Sequence, residues 1–421
     1  MAMRWARREG GTLFNALGAL DRAQSGGELK EALRSWPSPT LSFVWADAAG
    51  DIGYQAVGRV PIRAPGHSGR APVPGWDSKS EWQGFIPYDE MPALLNPPAG
   101  FIVAANNKIA GDDFRYVLGT DFGDPYRTQR INDVLAANSH VTADDMRALQ
   151  ADTLSLPAQA MVKYLLAVKP SSDQERQALD LVKAWDLHFE TGSAGAAIYY
   201  LWYWNLLEDT FSDELGPLMD DYRVMGMLET ASLVRMLESD SPWFDDTRTR
   251  ERETRDVLTA RALAQAVTWL EREEGGEPRS WTWGRIHTMS FPHQPFGRTG
   301  IAPLEWIFNS HTVQAPGEPL SVNATFIDPS HSLAETPRRP FAVGSGPALR
   351  FVADLSALER STSATPIGQS GLLFHPHRED QVDLWQRAGQ HPMLFERERV
   401  DADAKERLLL RPLTNSPEET P

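Results

Sequence analysis

From Thr40 the chain alternates apolar side chains with a period of two, placing Phe43 and Trp45 on one side of a strand and Val44 and Ala46 on the other. The alternation breaks at Ala48-Ala49-Gly50-Asp51 and resumes as Ile52–Gly58. Two strand-like runs around a glycine-containing turn predict a β-hairpin. The Pro-Gly-Trp-Asp and Asn-Pro-Pro-Ala-Gly clusters that follow are turn chemistry between short aromatic strands. One helix interrupts this part, near Gly27–Trp36, where Leu29, Leu33 and Trp36 share a face.

The period then lengthens. Thr142 opens a helix with Asp144 and Asp145 in its first turn and carries Met146 and Leu149 inward. Gln174–His188 predicts another, with Leu179, Val182 and Trp185 at three-residue steps. Ala194–Leu207 is apolar on all sides and too short for a bilayer, which predicts a buried helix. Thr247–Arg255 mixes charges at helical spacing and predicts a solvated helix opening that runs into an amphipathic Ala260–Arg272. From Ser280 short strands return: Trp281–Gly284, Pro319–Phe326, Ala348–Asp354 and Gly371–Phe374. Glu379–Arg387 reads as helix and the polar Thr414–Pro421 as a disordered tail. The pattern divides the chain into a strand-and-turn part (1–125), a helical part (126–278), a return to strands (279–413) and the tail (414–421).

A net charge of −16 over 421 residues argues against a nucleic-acid partner, because phosphate contacts need clustered Lys and Arg. Without cysteine there is no disulfide, thiol nucleophile or thiolate zinc site. No signal-peptide pattern opens the chain, and no apolar run is long enough to predict a membrane partner.

The hairpin block, Pro39–Tyr54, resembles the P-x-Q-N-F-V-Y-A-D-x-x-G-N-I-G-Y segment of the penicillin acylase family, amidases of the N-terminal-nucleophile hydrolase fold. Gly58–Arg63, Pro72–Trp76, Glu81–Pro87 and Asn96–Asn107 resemble its G-R-x-P-I-R, P-V-P-G-W, E-W-x-G-x-I-P and N-P-P-x-G-x-I-x-x-A-N-N motifs, in order. Tyr126–Ile131 is similar to Y-R-x-x-R-I, and Gly368–Gly371 with His377, Asp380, Gln381 and Trp385 to a C-terminal signature. The resemblance covers nearly the whole chain, thinly between Pro170 and Pro278. It implies an α+β fold, part of a four-layer αββα sandwich with a helical insertion. It also implies hydrolysis of a linear amide: removal of an acyl group from a β-lactam nucleus, an acyl-homoserine lactone or a similar amine.

In that family the nucleophile is a serine at the start of a processed chain, whose free amino group is the base. The cut precedes a segment like S-N-x-W, and no Ser-Asn dipeptide occurs here. Ala2–Trp5 resembles an interior family strand, so the chain is expected to begin within a β chain, as a fragment. A separate chain or a longer gene product would then carry the α subunit and the serine. The family asparagine that donates to the oxyanion falls at Ser42, preceded by Leu41. Serine donates too, from a shorter side chain, and losing one such donor costs roughly 10²–10³ in rate. Arg63 matches the arginine that holds that asparagine and the substrate end; it lines the cleft or is structural. No cofactor is expected, since most ligands of the family's structural calcium come from segments outside this chain. Periplasmic or secreted localisation, and a place in antibiotic biosynthesis, are implied by the resemblance alone.

Other constellations read as structure. His375 and His377 beside Glu379 and Asp380 make no metal motif with a proline between them. His287 and His293 read as packing or cleft wall, Gly368–Gly371 as a turn rather than a nucleophile elbow, and Asp47 and Asp51 as turn formers. The Ala194–Leu207 aromatics could instead wall an acyl pocket. Two further readings stand beside the acylase: a degenerate, non-catalytic relative, favoured by Ser42, and a carbohydrate-binding module, to which the 14 tryptophans could belong.

Overall fold

A computed structural model describes residues 2–8, 13–224, 230–239, 241–327 and 341–411. The predicted tail, Thr414–Pro421, lies outside them.

The hairpin forms as the alternation requires. Strand Leu41–Ala46 pairs antiparallel with Ile52–Val57 in the register Leu41↔Val57 to Ala46↔Ile52, and Ala93–Leu95 joins the far side of the second strand. Asp47 closes the turn, its carboxylate accepting from the amides of Ala49 and Asp51. One face, with Phe43 and Trp45, is covered by the helix Gly26–Leu33 and by Trp36, whose ring meets Phe43 edge-on at 5.1 Å. Ser25 caps that helix and Leu33 is fully buried. A second helix, Leu13–Leu20, was not expected in this part.

The helical block is built around Ala194–Leu215, buried without a break from Gly195 to Leu207. A helix covered on every side has no amphipathic stripe, which is why its sequence is apolar throughout. It outruns the predicted segment by eight residues and ends at Gly216, with φ of 50°. Arg255–Glu274 packs along it, where the Trp202 indole donates to the Thr259 carbonyl at 3.1 Å. Leu156–Leu166 and Asp173–Lys183 complete the bundle. Thr142 opens Ala143–Gln150 as predicted, and the structure adds a reciprocal cap with Asp145.

Several expectations need correction. The Gln174 helix stops at Lys183, because the Trp185 indole bonds the His188 carbonyl and Leu187 turns left-handed at φ 67°. Thr247–Thr254 is not helical. Carboxylates of Asp213, Asp246 and Asp245 hold the amides of Thr247, Arg248 and Glu253, so side chains replace the helical ladder. Trp281–Gly284 is no strand: a 3-10 turn leads into the short helix Trp283–Ile286, and both indoles are fully buried. In Pro319–Phe326 only Phe326 enters a strand, because Ser321 and Glu318 side chains take the local amides. Gly371–Phe374 is a turn, with Leu372 and Phe374 exposed. Arg350–Val352 pairs with Thr362–Ala364 as a strand, and the last predicted helix narrows to Val382–Gln386 around a buried Trp385.

The result is a mixed α+β architecture of small antiparallel sheets, with the helical block inserted between the two strand-bearing parts. No helix among the described residues is long and apolar enough to cross a membrane.

Candidate functional site

Ser42 lies on the face of the hairpin that the helix leaves open. It is exposed, on the edge strand of the three-stranded sheet, and its Oγ is 2.8 Å from the phenol oxygen of Tyr54. The two are diagonal neighbours, since Ser42 opposes Ala56 and Tyr54 opposes Val44. Tyr54 is buried against Ala56, Val60, Ile86 and Met91, and burial raises its phenol above the ordinary value while Ser42 opposes the shift. Val44 and Leu94, on either side of Tyr54 in the same cross-strand row, remain about half exposed. Leu41 points to the other face, where it is partly exposed.

Arg63 follows the two-residue strand Pro61–Ile62, which pairs with Gly84–Phe85. Its guanidinium rests on Gly69, where a β-carbon would collide with it; φ of 85° also suits glycine there. Among the described residues no hydrogen bond joins Arg63 to Ser42. The structure therefore leaves the two residues as separate elements of the hairpin region.

Further along the chain, the Asn106-Asn107 loop docks onto the helix Tyr126–Ala137. Arg127 donates to the Asn106 side chain at 2.8 Å and Thr128 to that of Asn107 at 2.8 Å, while Arg130 pairs with Asp152 at 2.6 Å. Arg127 is half-buried, and the desolvation lowers its guanidinium pKa against the opposing pull of Glu318. Glu318 is 4% exposed, accepts from the Leu320 amide at 2.8 Å and is pushed by burial up to about 7. Among the described residues its other oxygen has no hydrogen-bond partner. Nearby in sequence, Asn323 accepts from the buried Arg350 at 2.8 Å. Neither Tyr54 nor Glu318 was singled out from sequence. Tyr54 stood in a motif with no stated role, and a lone glutamate in a Pro- and Ser-rich stretch carries no burial signal.

The other constellations are structural. His287 is fully buried, stacked on Trp283 at 4.3 Å, and bonded to the Phe341 carbonyl and Thr325. Burial drops its imidazole to about 3, so it stays neutral. His293 stacks on Phe296. His377 bonds Asp380 at 2.7 Å, and no group of three metal-ligating side chains is gathered among the described residues. Gly368–Gly371 is a turn held by the amides of Gly368 and Ser370 on Arg378 and His377 carbonyls. Asp47 and Asp51 serve the turn, Asp51 accepting from Asn96 at 2.7 Å. The Ala194–Leu207 rings pack against one another and Trp283, in the bundle core.

The penicillin amidase family model matches residues 1–402. Acyl-homoserine lactone acylase QuiP of Pseudomonas fluorescens is 30% identical over 408 residues, covering 90% of this chain and 47% of that protein. Penicillin acylase 2 proenzyme of Pseudomonas sp. SE83 is 29% identical over 404 residues, covering 93% and 49%. The thermostable penicillin G acylase of Alcaligenes faecalis superposes with a TM-score of 0.61 at 20% identity, covering 95% of this chain and 73% of that one. The chain spans about half the length of the curated relatives it matches.

Proposed function

The chain belongs to the penicillin amidase family, and from that premise we propose that it serves the hydrolysis of a linear N-acyl amide by supplying the wall that receives the acyl carbonyl. In this reading Ser42 donates to the carbonyl oxygen and Arg63 holds the substrate end of the cleft. The nucleophilic serine and its α-amino base stand on a segment outside these residues, on a partner chain or in a longer product. The observation that carries the reading is that Ser42 is exposed on an edge strand; the motif resemblance sets it where the family has asparagine. Among the described residues its strand stands at the sheet edge, where backbone groups could pair with a further strand. The amine released is a homoserine lactone, a β-lactam nucleus or a similar small amine, the classes that the relatives' names mention.

Reconstitution tests it. The chain is co-expressed with the polypeptide encoded directly upstream, and amine release from N-octanoyl-homoserine lactone and a phenylacetyl amide is followed. The expected result is turnover by the pair and none by the chain alone. Turnover by the chain alone that survives Ser42→Ala and Arg63→Ala overturns the placement of the cleft.

A second reading, a non-catalytic relative that binds an amide, is favoured by serine standing where the family has asparagine. Binding of the amide without turnover by the reconstituted pair would select it.

A further inference from the structure

The open face beside Ser42 holds a second hydroxyl whose place is unexplained by packing alone. Tyr54 is 7% exposed, and its phenol oxygen lies 2.8 Å from Ser42 Oγ, its one side-chain hydrogen bond among the described residues. A phenol is a far stronger acid than an alcohol and hence the better donor; the serine oxygen is the better acceptor. With the Tyr54 hydrogen spent on Ser42 Oγ, the serine's own hydrogen is free for an acceptor outside the sheet. The opposite face is closed by Phe43, Trp45 and Trp36, so a ligand approaches from the Ser42 side. Next to the hydroxyl pair, Val44 and Leu94 are 54% and 53% exposed, the two ends of an apolar strip whose middle, Tyr54, is buried.

Resting on the reading of Ser42 as donor to the amide carbonyl, we infer that Tyr54 is a positioning residue. Its buried phenol donates to Ser42 Oγ and turns the serine hydrogen toward the carbonyl of an acyl amide whose chain lies along Val44 and Leu94. An asparagine at position 42 would not need this support, because its amide hydrogens are fixed by its own planar group. Tyr54 therefore matters only while residue 42 is serine.

That dependence gives the test. Binding of N-octanoyl-homoserine lactone to the full chain is measured by calorimetry for the wild type, Tyr54→Phe, Ser42→Asn and the double variant, each checked for a cooperative thermal transition. The expected result is about fivefold weaker binding for Tyr54→Phe with serine present, the loss of one hydrogen bond's support, and no change from the same substitution with asparagine present. An equal loss in both backgrounds marks a packing role and overturns the inference, as does no loss in either; both leave the Ser42 reading standing. Saturable binding by neither the wild type nor Ser42→Asn overturns that reading and the inference with it. Shortening the acyl group to acetyl is expected to weaken wild-type binding at least tenfold, since each buried methylene contributes; equal affinity removes the apolar strip from the proposal.

Discussion

Trp45 stands directly opposite Gly53 in the hairpin, and its indole fills the volume that a side chain at Gly53 would occupy. The same ring lies against Gly26, the first residue of the covering helix, whose amide donates to Asp47 at 3.2 Å. Two glycines thus make one slot, which sets how closely the helix sits on the sheet and keeps the Ser42 face turned outward. Gly53→Ala should overpack this slot and destabilise the fold by about 2 kcal/mol. Chemical denaturation checks it, and Gly27→Ala, whose β-carbon would meet only Ser25 Oγ at an ordinary 3.9 Å, serves as a near-neutral control. An unaffected Gly53→Ala midpoint would mean that the indole can leave the slot freely.

A carboxyl as deeply buried as Glu318 makes stability depend on pH. Its ordinary value of 4.5 is raised to about 7 in the fold, so the folded state holds the proton more tightly than the unfolded chain. The associated stability is complete below about pH 4.5 and is lost as pH rises through 7. The shift corresponds to roughly 3 kcal/mol. Glu214, at an exposed position but raised to about 7 by desolvation and by its hydrogen bond to Asp213, titrates in the same range. The readout is therefore the difference between wild type and Glu318→Gln in urea midpoints at pH 5 and pH 8. The variant should lose part of the wild-type decline, and an identical decline in both would show that Glu318 ionises normally.

His311 is a smaller case with the opposite charge. Its Nδ1 lies 3.0 Å from Glu379 and its Nε2 3.3 Å from Asp383, and the Glu379 contact, then Asp383, raises its pKa above 6.5. Stability from this clamp is complete below the unfolded value and fades as pH climbs through the raised one. Half of the imidazole is exposed, so solvent screening leaves it only a few tenths of a kcal/mol. Proton NMR titration should find His311 above the free-histidine value, returning toward it in Glu379→Gln.

Legibility of the fold followed the kind of signal each element carries. The Leu41–Val57 hairpin could be read in full, because its period-two pattern and glycine turn agree with the tertiary packing. Thr142 could be read from its acidic first turn, since the cap is purely local. Leu156–Leu166 was missed although Ser155 and Pro157 mark its start, for its apolar residues do not stand out from the buried surroundings. The indoles of Trp281 and Trp283 imitate a strand in sequence; only the bundle and the Gly275 and Gly317 carbonyls that accept their N–H groups explain the bend. At the site, Ser42 and Arg63 were legible only through family motifs. Tyr54 needed the register that sets it diagonal to Ser42.

The last prediction rests on the proposed reading, in which Ser42 stands where the family has asparagine. A side-chain amide reaches further from the strand than a hydroxyl and donates without a supporting phenol. An oxyanion donor placed well is worth roughly 10²–10³ in rate, and in the proposed site a serine would forfeit a large share of that. In the reconstituted pair, Ser42→Asn should raise the turnover of an N-acyl amide by at least about tenfold, chiefly in kcat, because the added interaction forms as charge develops on the oxygen. Ser42→Ala should lower it. A gain confined to KM would mean that residue 42 holds the ground-state carbonyl only. Equal rates for Asn, Ser and Ala would remove residue 42 from the reaction altogether, and the binding role would then be the one that the hairpin serves.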